Sequence, residues 1–403
     1  MRTITKYIYL FYAMILPFGA INPFDLSSIR GISERISEQQ GLGQYFFALC
    51  VICALLDGNV RKQIVHLKKL LLPLFLLFCT LFCSELVYTQ FSTIDYVFYI
   101  KLLVGEFGFV IIAQYFIEYP IVMRKSLMLY SYTCVLIILA FFLGFLRGYY
   151  FTSNGQLWLF GENPNTYSFM IGLGSLILVN DIVHNKESLW LLIINFVSIV
   201  LIVFYLILSG SRGTILMVAA CLLVLSYRVI LKKWIIVLPI ILISVSLVVG
   251  FVNKNNNDIS LFERFNALQE SRGDRSNLIK EAWSLYAERP LFGFGRTGYV
   301  EERLIRYREE RDSHNLLLST AAMGGTVAVI CLLAFLGIMF KECLKKRKSL
   351  LFATVLFLYI FLMSMKTGDV ITFAMMWYSY GVVFSLATTP GKIVSLPSAS
   401  LSG

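Results

Sequence analysis

Charge is scarce in this chain of 403 residues: 15% of them are Asp, Glu, Lys or Arg, against about 25% in ordinary soluble domains. Hydrophobic residues make up 58%, and mean hydropathy is +0.75. That excludes an ordinary water-soluble domain. A disulfide framework is also missing. Of eight cysteines, Cys50, Cys53, Cys79, Cys83, Cys134, Cys221 and Cys331 lie in apolar runs, and Cys343 sits among lysines. The Cys50–Cys53 CxxC falls inside a predicted span, where small-residue packing is a better reading than metal or redox chemistry. No small-x-small cleavage site follows the basic start and first apolar run, so a retained first helix is expected. Histidine occurs only three times, no internal repeat is visible, and the outer loops carry no Asp-x-Asp.

What the chain has instead is apolar length. Runs fall at about 7–24, 42–56, 70–89, 97–117, 126–146, 166–180, 188–208, 214–227, 234–252, 315–340, 350–365 and 370–388. A membrane helix needs roughly 20 such residues. The expectation is an all-α membrane protein of about 12 transmembrane helices, with one modest polar part. Residues 1–252 then hold spans one to nine, and 253–313 form an outer loop. Spans ten to twelve occupy 314–388, and 389–403 are a tail.

Net charge is +11, and its distribution carries the topology. One alternate set of loops holds Arg2, Lys6, Arg61, Lys62, Lys68, Lys69, Arg124, Lys125, Lys186, Arg228, Lys232 and Lys233. It continues with Lys341, Lys345, Lys346, Arg347, Lys348 and Lys392. The short loops of the other set hold only Arg30, Arg35, Arg147, Arg212 and Lys366. The positive-inside rule places both termini in the cytoplasm and the 253–313 loop outside. The first set is mostly lysine, which suffices as a point charge beside anionic lipid. The outer basic residues are mostly arginine, whose planar fork suits phosphate or carboxylate. A topological origin for the surplus leaves no reason to infer nucleic-acid binding.

The outer loop begins with the polar linker Asn253–Asp258. Residues 277–288 place Ile279, Trp283 and Tyr286 with Leu278, Ala282 and Leu285 at helical spacing, an amphipathic helix ended by Pro290. Gly293, Gly295 and Gly298 match GxGxxG, but a helix precedes them where a dinucleotide fold needs a strand. A tight turn bringing backbone close to a ligand or the membrane is the better reading. A charged helix is expected over 300–311, with Glu302–Arg306 as an i,i+4 pair. Asp312 and Ser313 are the candidate caps of the tenth span, which puts His314 in its first turn. A helix dipole's positive end favours neutral imidazole, which can accept a proton; a helix-end histidine satisfied by caps and water is the plainer reading.

Two further outer spots stand out. Ser209–Gly210–Ser211–Arg212–Gly213 joins spans seven and eight with almost no loop, combining backbone N–H groups, hydroxyls and an arginine as an anion site would. A plain turn with a snorkelling arginine fits equally well. Gly161–Asn165 (GENPN) is a turn opening the sixth span, with Arg147 earlier in the same loop. Within the membrane, Lys101 and Glu106 share the fourth span and are expected to pair, with each other or with a neighbouring span, rather than to serve transport.

In order, spacing and sidedness these motifs resemble the O-antigen ligase and polymerase superfamily. The likeness is carried by the SGSRG turn, by Arg275 ahead of Pro290–Gly295 (PLFGFG), by His314–Asn315 opening the next span, and by Gly325. Asn163–Pro164–Asn165 is similar to a turn frequent in that family. Ala328 stands where the family often has a second glycine. The resemblance is concentrated in 147–330; the first 120 residues match only in hydropathy.

The resemblance implies a GT-C-like bacterial membrane glycosyltransferase, working without a cofactor or metal on glycans carried by undecaprenyl diphosphate. It implies that Arg212 and Arg275 bind the diphosphate and stabilise it as leaving group, and that His314 serves as base for the acceptor hydroxyl. Ser211, Asn315, Arg147, Arg272 and Arg296 are the further substrate-binding candidates, with Arg264 and Arg289 behind them. Implied partners are the lipid-linked donor, a glycan or lipid A core acceptor, membrane lipid and other polysaccharide-assembly proteins. The implied location is the bacterial inner membrane. A polymerase is the favoured activity, an O-antigen ligase the alternative, and a polysaccharide transporter or flippase the remote one, since transporters show repeats and midplane charges.

Overall fold

The computed structural model describes residues 2–18, 42–63, 67–90, 93–146, 150–153, 156–160, 164–184, 189–227, 268–308, 312–345, 351–367 and 370–389. Its helices are α1 (Arg2–Ile15), α2 (Leu42–Leu55), α3 (Gly58–Gln63), α4 (Lys68–Tyr88), α5 (Tyr96–Glu118), α6 (Pro120–Phe142), α7 (Pro164–His184), α8 (Leu189–Ser209) and α9 (Arg212–Tyr227). They continue with α10 (Leu268–Glu288), α11 (Gly295–Tyr307), α12 (Leu316–Leu344), α13 (Leu351–Ser364) and α14 (Ala374–Thr388). Six of these, α4 to α8 and α12, contain stretches long and apolar enough to cross a membrane. Three shorter apolar helices lie within α2, α9 and α13. The ninth expected span, 234–252, the Asn253–Asp258 linker and the 389–403 tail beyond Thr389 lie outside the described residues.

A short antiparallel hairpin, β1 (Tyr150–Ser153) with β2 (Gln156–Leu159), adds the only sheet among the described residues. Its register pairs Ser153 with Gln156 across Asn154–Gly155, the dipeptide that signals a two-residue hairpin most strongly.

The chain divides into two compact units that do not follow sequence order. The first comprises Met1–Thr5, Phe47–Tyr119 and Leu268–Thr389. In it α5 packs along α14, and α12 along α4. Gly105 is the contact that admits Trp377: a Cβ there would overlap the indole ring. Trp377, Phe109 and Phe335 then cluster, with ring centroids 5.3–6.3 Å apart. Glu106, beside Gly105, is 1% exposed, and neither of its oxygens has a hydrogen-bond partner, so among the described residues it does not form the expected ion pair with Lys101. Five residues along a helix separate Lys101 and Glu106 by about 140° at about 100° per residue, which puts them on different faces.

At one end of α4 and α12, Glu342 accepts from both Lys69 and Lys345, at 2.9 Å in the second case. At the other end Glu85, fully buried, accepts the Tyr99 hydroxyl at 2.9 Å and the Thr297 backbone N–H at 3.1–3.2 Å. Glu85 therefore caps α11 from another helix. Its negative charge meets the positive end of the α11 dipole and satisfies a donor that the helix itself leaves open.

The second unit comprises Lys6–Phe46, Pro120–Ala267 and Pro390–Gly403. Here α7 packs against both α6 and α8, with Gly174 in van der Waals contact with Cys134. Buried Asp181 on α7 accepts from Arg124 and Asn195, each at 3.4 Å, and Asn195 accepts from Tyr132 at 2.8 Å. A charge inside a helical bundle needs such partners.

Candidate active site

The predicted site residues divide between the units: Ser211 and Arg212 lie in the second, and Arg272, Arg275, Arg296, His314 and Asn315 in the first. Arg147 and Arg264 lie outside the described residues.

In the second unit the SGSRG turn forms as expected. Helix α8 ends at Ser209, Gly210 adopts φ 66°, and Arg212 begins α9. Both hydroxyls, however, are used inside the protein. Ser209 Oγ donates to the Leu206 carbonyl at 2.7 Å and accepts from Ser168 at 2.8 Å. Ser211 Oγ donates to Asn165 Oδ1 and lies 2.7 Å from Thr214 Oγ1. The bond to Asn165 ties the SGSRG turn to the start of α7, so two motifs far apart in sequence become one structure. The Ser211 hydroxyl holds that junction. Arg212, half-buried at a helix start, is the group of that turn suited to an anion.

In the first unit the PLFGFG segment has a mechanical partner. Helix α12 is broken at Gly325 (φ 67°, ψ −167°). The break releases the N–H groups of Thr326 and Val327, which donate instead to the carbonyls of Pro290 (2.7 Å) and Leu291 (3.4 Å). The freed Ala322 carbonyl accepts from Phe294 N–H at 3.0 Å. Tyr286 and Thr326 hydroxyls lie 2.8 Å apart. The loop thus replaces the missing rungs of the helix. Its glycines follow from this: Gly293 (φ 65°) lies against the Met323 backbone and Gly295 (φ 72°) against Glu85. The tight turn expected of GxGxxG is present, and what its backbone approaches is a broken span. Ala328 is fully buried beside Gly324, a packing role.

The segment around His314 differs from expectation in its cap. Asn315, in extended conformation, caps α12 by accepting Leu318 N–H at 3.0 Å. His314 therefore stands just outside the helix, in the left-handed region at φ 53°, with Nδ1 buried. Asp312 does not cap; its carboxylate accepts Ser319 Oγ at 2.7–2.8 Å and the Tyr299 hydroxyl at 3.1 Å. Ser313 Oγ lies 2.7 Å from Ser319 Oγ.

Behind Tyr299 stands Arg303, only 2% exposed, which donates to the Tyr299 oxygen and to Glu281, each at 3.1 Å. A buried chain, Glu281–Arg303–Tyr299–Asp312–Ser319, thus runs from α10 to α12 and braces the His314 turn. Burial, then the Asp312 charge, pushes the Tyr299 phenol well above its ordinary pKa and keeps it a neutral donor. Tyr299→Phe leaves Arg303 one acceptor short and is expected to cost about 1–3 kcal/mol, read as a lower Tm of the detergent-solubilised protein. An unchanged Tm would remove the chain from the account.

Arg275 projects from the exposed side of α10, yet the protein around it is dense enough to lower its pKa from the ordinary guanidinium value. Arg272 lies on the same helix, its side chain outside the described residues. Arg296 lies over the Phe98 ring at 5.2 Å. Arg289 lies over the rings of Tyr88 and Phe294, at 3.9 and 4.3 Å from their centroids. Among the described residues no three His, Cys, Asp or Glu side chains gather as metal ligands would.

The family model of the O-antigen ligases matches residues 197–333. Over that stretch the chain is similar to the O-antigen ligases. The matched stretch of sequence includes Arg212, Arg275 and His314, along with Ser211, Asn315, the PLFGFG segment and Gly325. The family's description agrees with the resemblance drawn from the motifs. No curated protein matches the chain.

Sequence reasoning missed Glu85, Tyr99, Glu281, Tyr299 and Arg303. Glu85 and Arg303 are long-range partners with no local signal. Tyr299 and Asp312 are thirteen residues apart in sequence, and only the fold brings them together. Helix α10 also begins earlier than expected, at Leu268, and α11 starts within the glycine motif and ends at Tyr307. The Glu302–Arg306 pair is formed at 2.6 Å.

Proposed function

We propose that the protein is a GT-C-type glycosyltransferase of the bacterial inner membrane that moves a glycan from undecaprenyl diphosphate to an acceptor sugar hydroxyl on the outer face. The observation that carries the reading is the O-antigen ligase match over 197–333, which spans the three residues assigned to the chemistry. About twelve spans, cytoplasmic termini and an outer 253–313 loop belong to the same proposal. Its topology is supported where Lys69 and Lys345, from two loops assigned to the cytoplasm, share Glu342.

In the proposed reaction the acceptor oxygen attacks the anomeric carbon as the bond from that carbon to the diphosphate breaks. The bonding pair leaves with the diphosphate, and the acceptor proton passes to the His314 imidazole. Fixed guanidinium groups of Arg212 and Arg275 act most strongly as the leaving charge develops, so they stabilise the transition state more than the bound donor. The donor already holds the energy, so no nucleotide is consumed, and the charge stabilisation is assigned to arginine rather than to a metal. A direct displacement inverts the anomeric centre. Arg147, Arg272 and Arg296 are assigned to donor or glycan binding, and Asn315 to positioning His314 through the cap.

Polymerisation of surface polysaccharide is the favoured activity; ligation to lipid A core is a second reading, favoured by the description of the matching family. A deletion strain separates them. Surface glycan reduced to capped single repeats marks a polymerase. Long chains retained on the carrier, with none attached, mark a ligase. Unaltered surface glycan would defeat both.

A further inference from the structure

The apolar row expected to bury one side of α10 does so only in part. Leu278, Ala282 and Leu285 are at most 3% exposed, whereas Trp283 is 60% exposed. The exposure continues into the following loop, where Leu291 is 63% and Phe292 50% exposed. Such side chains are out of place in an aqueous loop, and their depth explains them. At about 1.5 Å of rise per residue, Gly325 stands about 25 Å along α12 from Glu342, and Tyr88 about 28 Å along α4 from Lys69. Glu342 and Lys69 meet at the far end, so Leu291 and Phe292, docked at Gly325, lie near the outer boundary of a hydrocarbon core about 30 Å thick. Irregular backbone is tolerated at that depth only when protein satisfies it, and the α12 break does so for this segment.

Arg289 stands at the same level. Its guanidinium lies against the rings of both Tyr88 and Phe294, and it forms no ion pair among the described residues. A guanidinium packed on aromatic rings keeps its N–H edge for an anion, and that fork suits a phosphate. Aromatic rings and arginine are the side chains that settle at a bilayer's headgroup level.

We infer that Arg289, Leu291 and Phe292, flanked by Trp283, form a binding edge for an anionic phospholipid of the outer leaflet. The guanidinium takes the headgroup phosphate, and the two apolar side chains enter the acyl layer. The inference rests on the proposed outer position of the 253–313 loop and is independent of the transfer chemistry.

The test uses the full-length chain with benzoylphenylalanine at position 292 or, as a control, at Glu301, in vesicles of phosphatidylglycerol and phosphatidylcholine. Illumination is expected to give lipid adducts at 292 and none at 301. In native mass spectrometry, Arg289→Gln is expected to retain about tenfold less phosphatidylglycerol than the parent protein, with phosphatidylcholine unchanged. Millimolar inorganic phosphate should not displace the lipid. Absence of adducts at 292, equal retention by Arg289→Gln, or displacement by inorganic phosphate would overturn the inference. So would displacement by an equal amount of polyprenyl diphosphate, which would reassign the edge to the donor lipid. None of these readouts depends on glycosyl transfer.

Discussion

Replacing His314 by alanine is expected to lower glycan transfer at least about 100-fold, the scale of a lost general base. Insertion and Tm should stay near those of the parent, because the side chain is half-buried and the bracing bonds run through Asp312, Ser313 and Asn315 instead. The left-handed backbone at φ 53° is tolerated better by His or Asn than by Ala. His314→Asn is therefore the sharper variant: it keeps the turn and removes the base. Arg212→Ala is expected to cost about 100- to 1,000-fold, comparable with removal of one preorganised donor to a developing charge. Arg212→Lys should recover only part of this, since a point charge lacks the fork. Transfer is measured as labelled glycan moved per protein at matched expression. Near-parental transfer by His314→Asn or Arg212→Ala would cancel the corresponding assignment.

Gly325→Val is expected to be the most damaging change away from the chemistry. Its backbone sits at φ 67°, where a β-branched residue is strained, and any Cβ would overlap the Leu291 carbonyl. The substitution must either undo the break in α12 or expel the loop. Expulsion leaves the Thr326 and Val327 donors and the Ala322 acceptor unpaired near the membrane boundary. A loss of about 3–5 kcal/mol follows from strain and orphaned groups together. In practice the protein should be recovered at low yield and with a sharply lowered Tm. Gly325→Ala shares the strain and the overlap with a smaller side chain, so it should fall between the two. A Val variant with parental Tm would mean that the loop does not repair the helix break.

The parts of this architecture that were legible in sequence are those with local causes. Apolar runs mark the long helices because a bilayer-length helix needs them. The SGSRG turn follows from Gly210 and an immediate helix start at Arg212. Glu302 and Arg306 meet because four residues make one turn. Asn154–Gly155 between two short stretches was a readable hairpin signal that the sequence reading did not use.

The cap of α12 was not legible. Asp312, Ser313 and Asn315 are all good capping residues, and the choice is made by Tyr299 and Ser319, which occupy the Asp312 carboxylate. Exposure of Trp283 was equally hidden, because helical spacing shows which residues share a row but not which row a neighbour covers. The glycine motif was readable as a turn. Its partner, the break at Gly325, was present in the sequence only as a glycine at a familiar distance.

The central claim is glycosyl transfer from a lipid diphosphate by Arg212, Arg275 and His314. It is tested most directly with the purified full-length chain in liposomes, given a labelled undecaprenyl-diphosphate oligosaccharide, an acceptor glycan and a metal chelator. The expected result is label on the acceptor with one lipid diphosphate released per transfer, and loss of both in Arg212→Ala and His314→Asn. Movement of the label across the bilayer with no transfer would contradict the claim and assign the protein to transport.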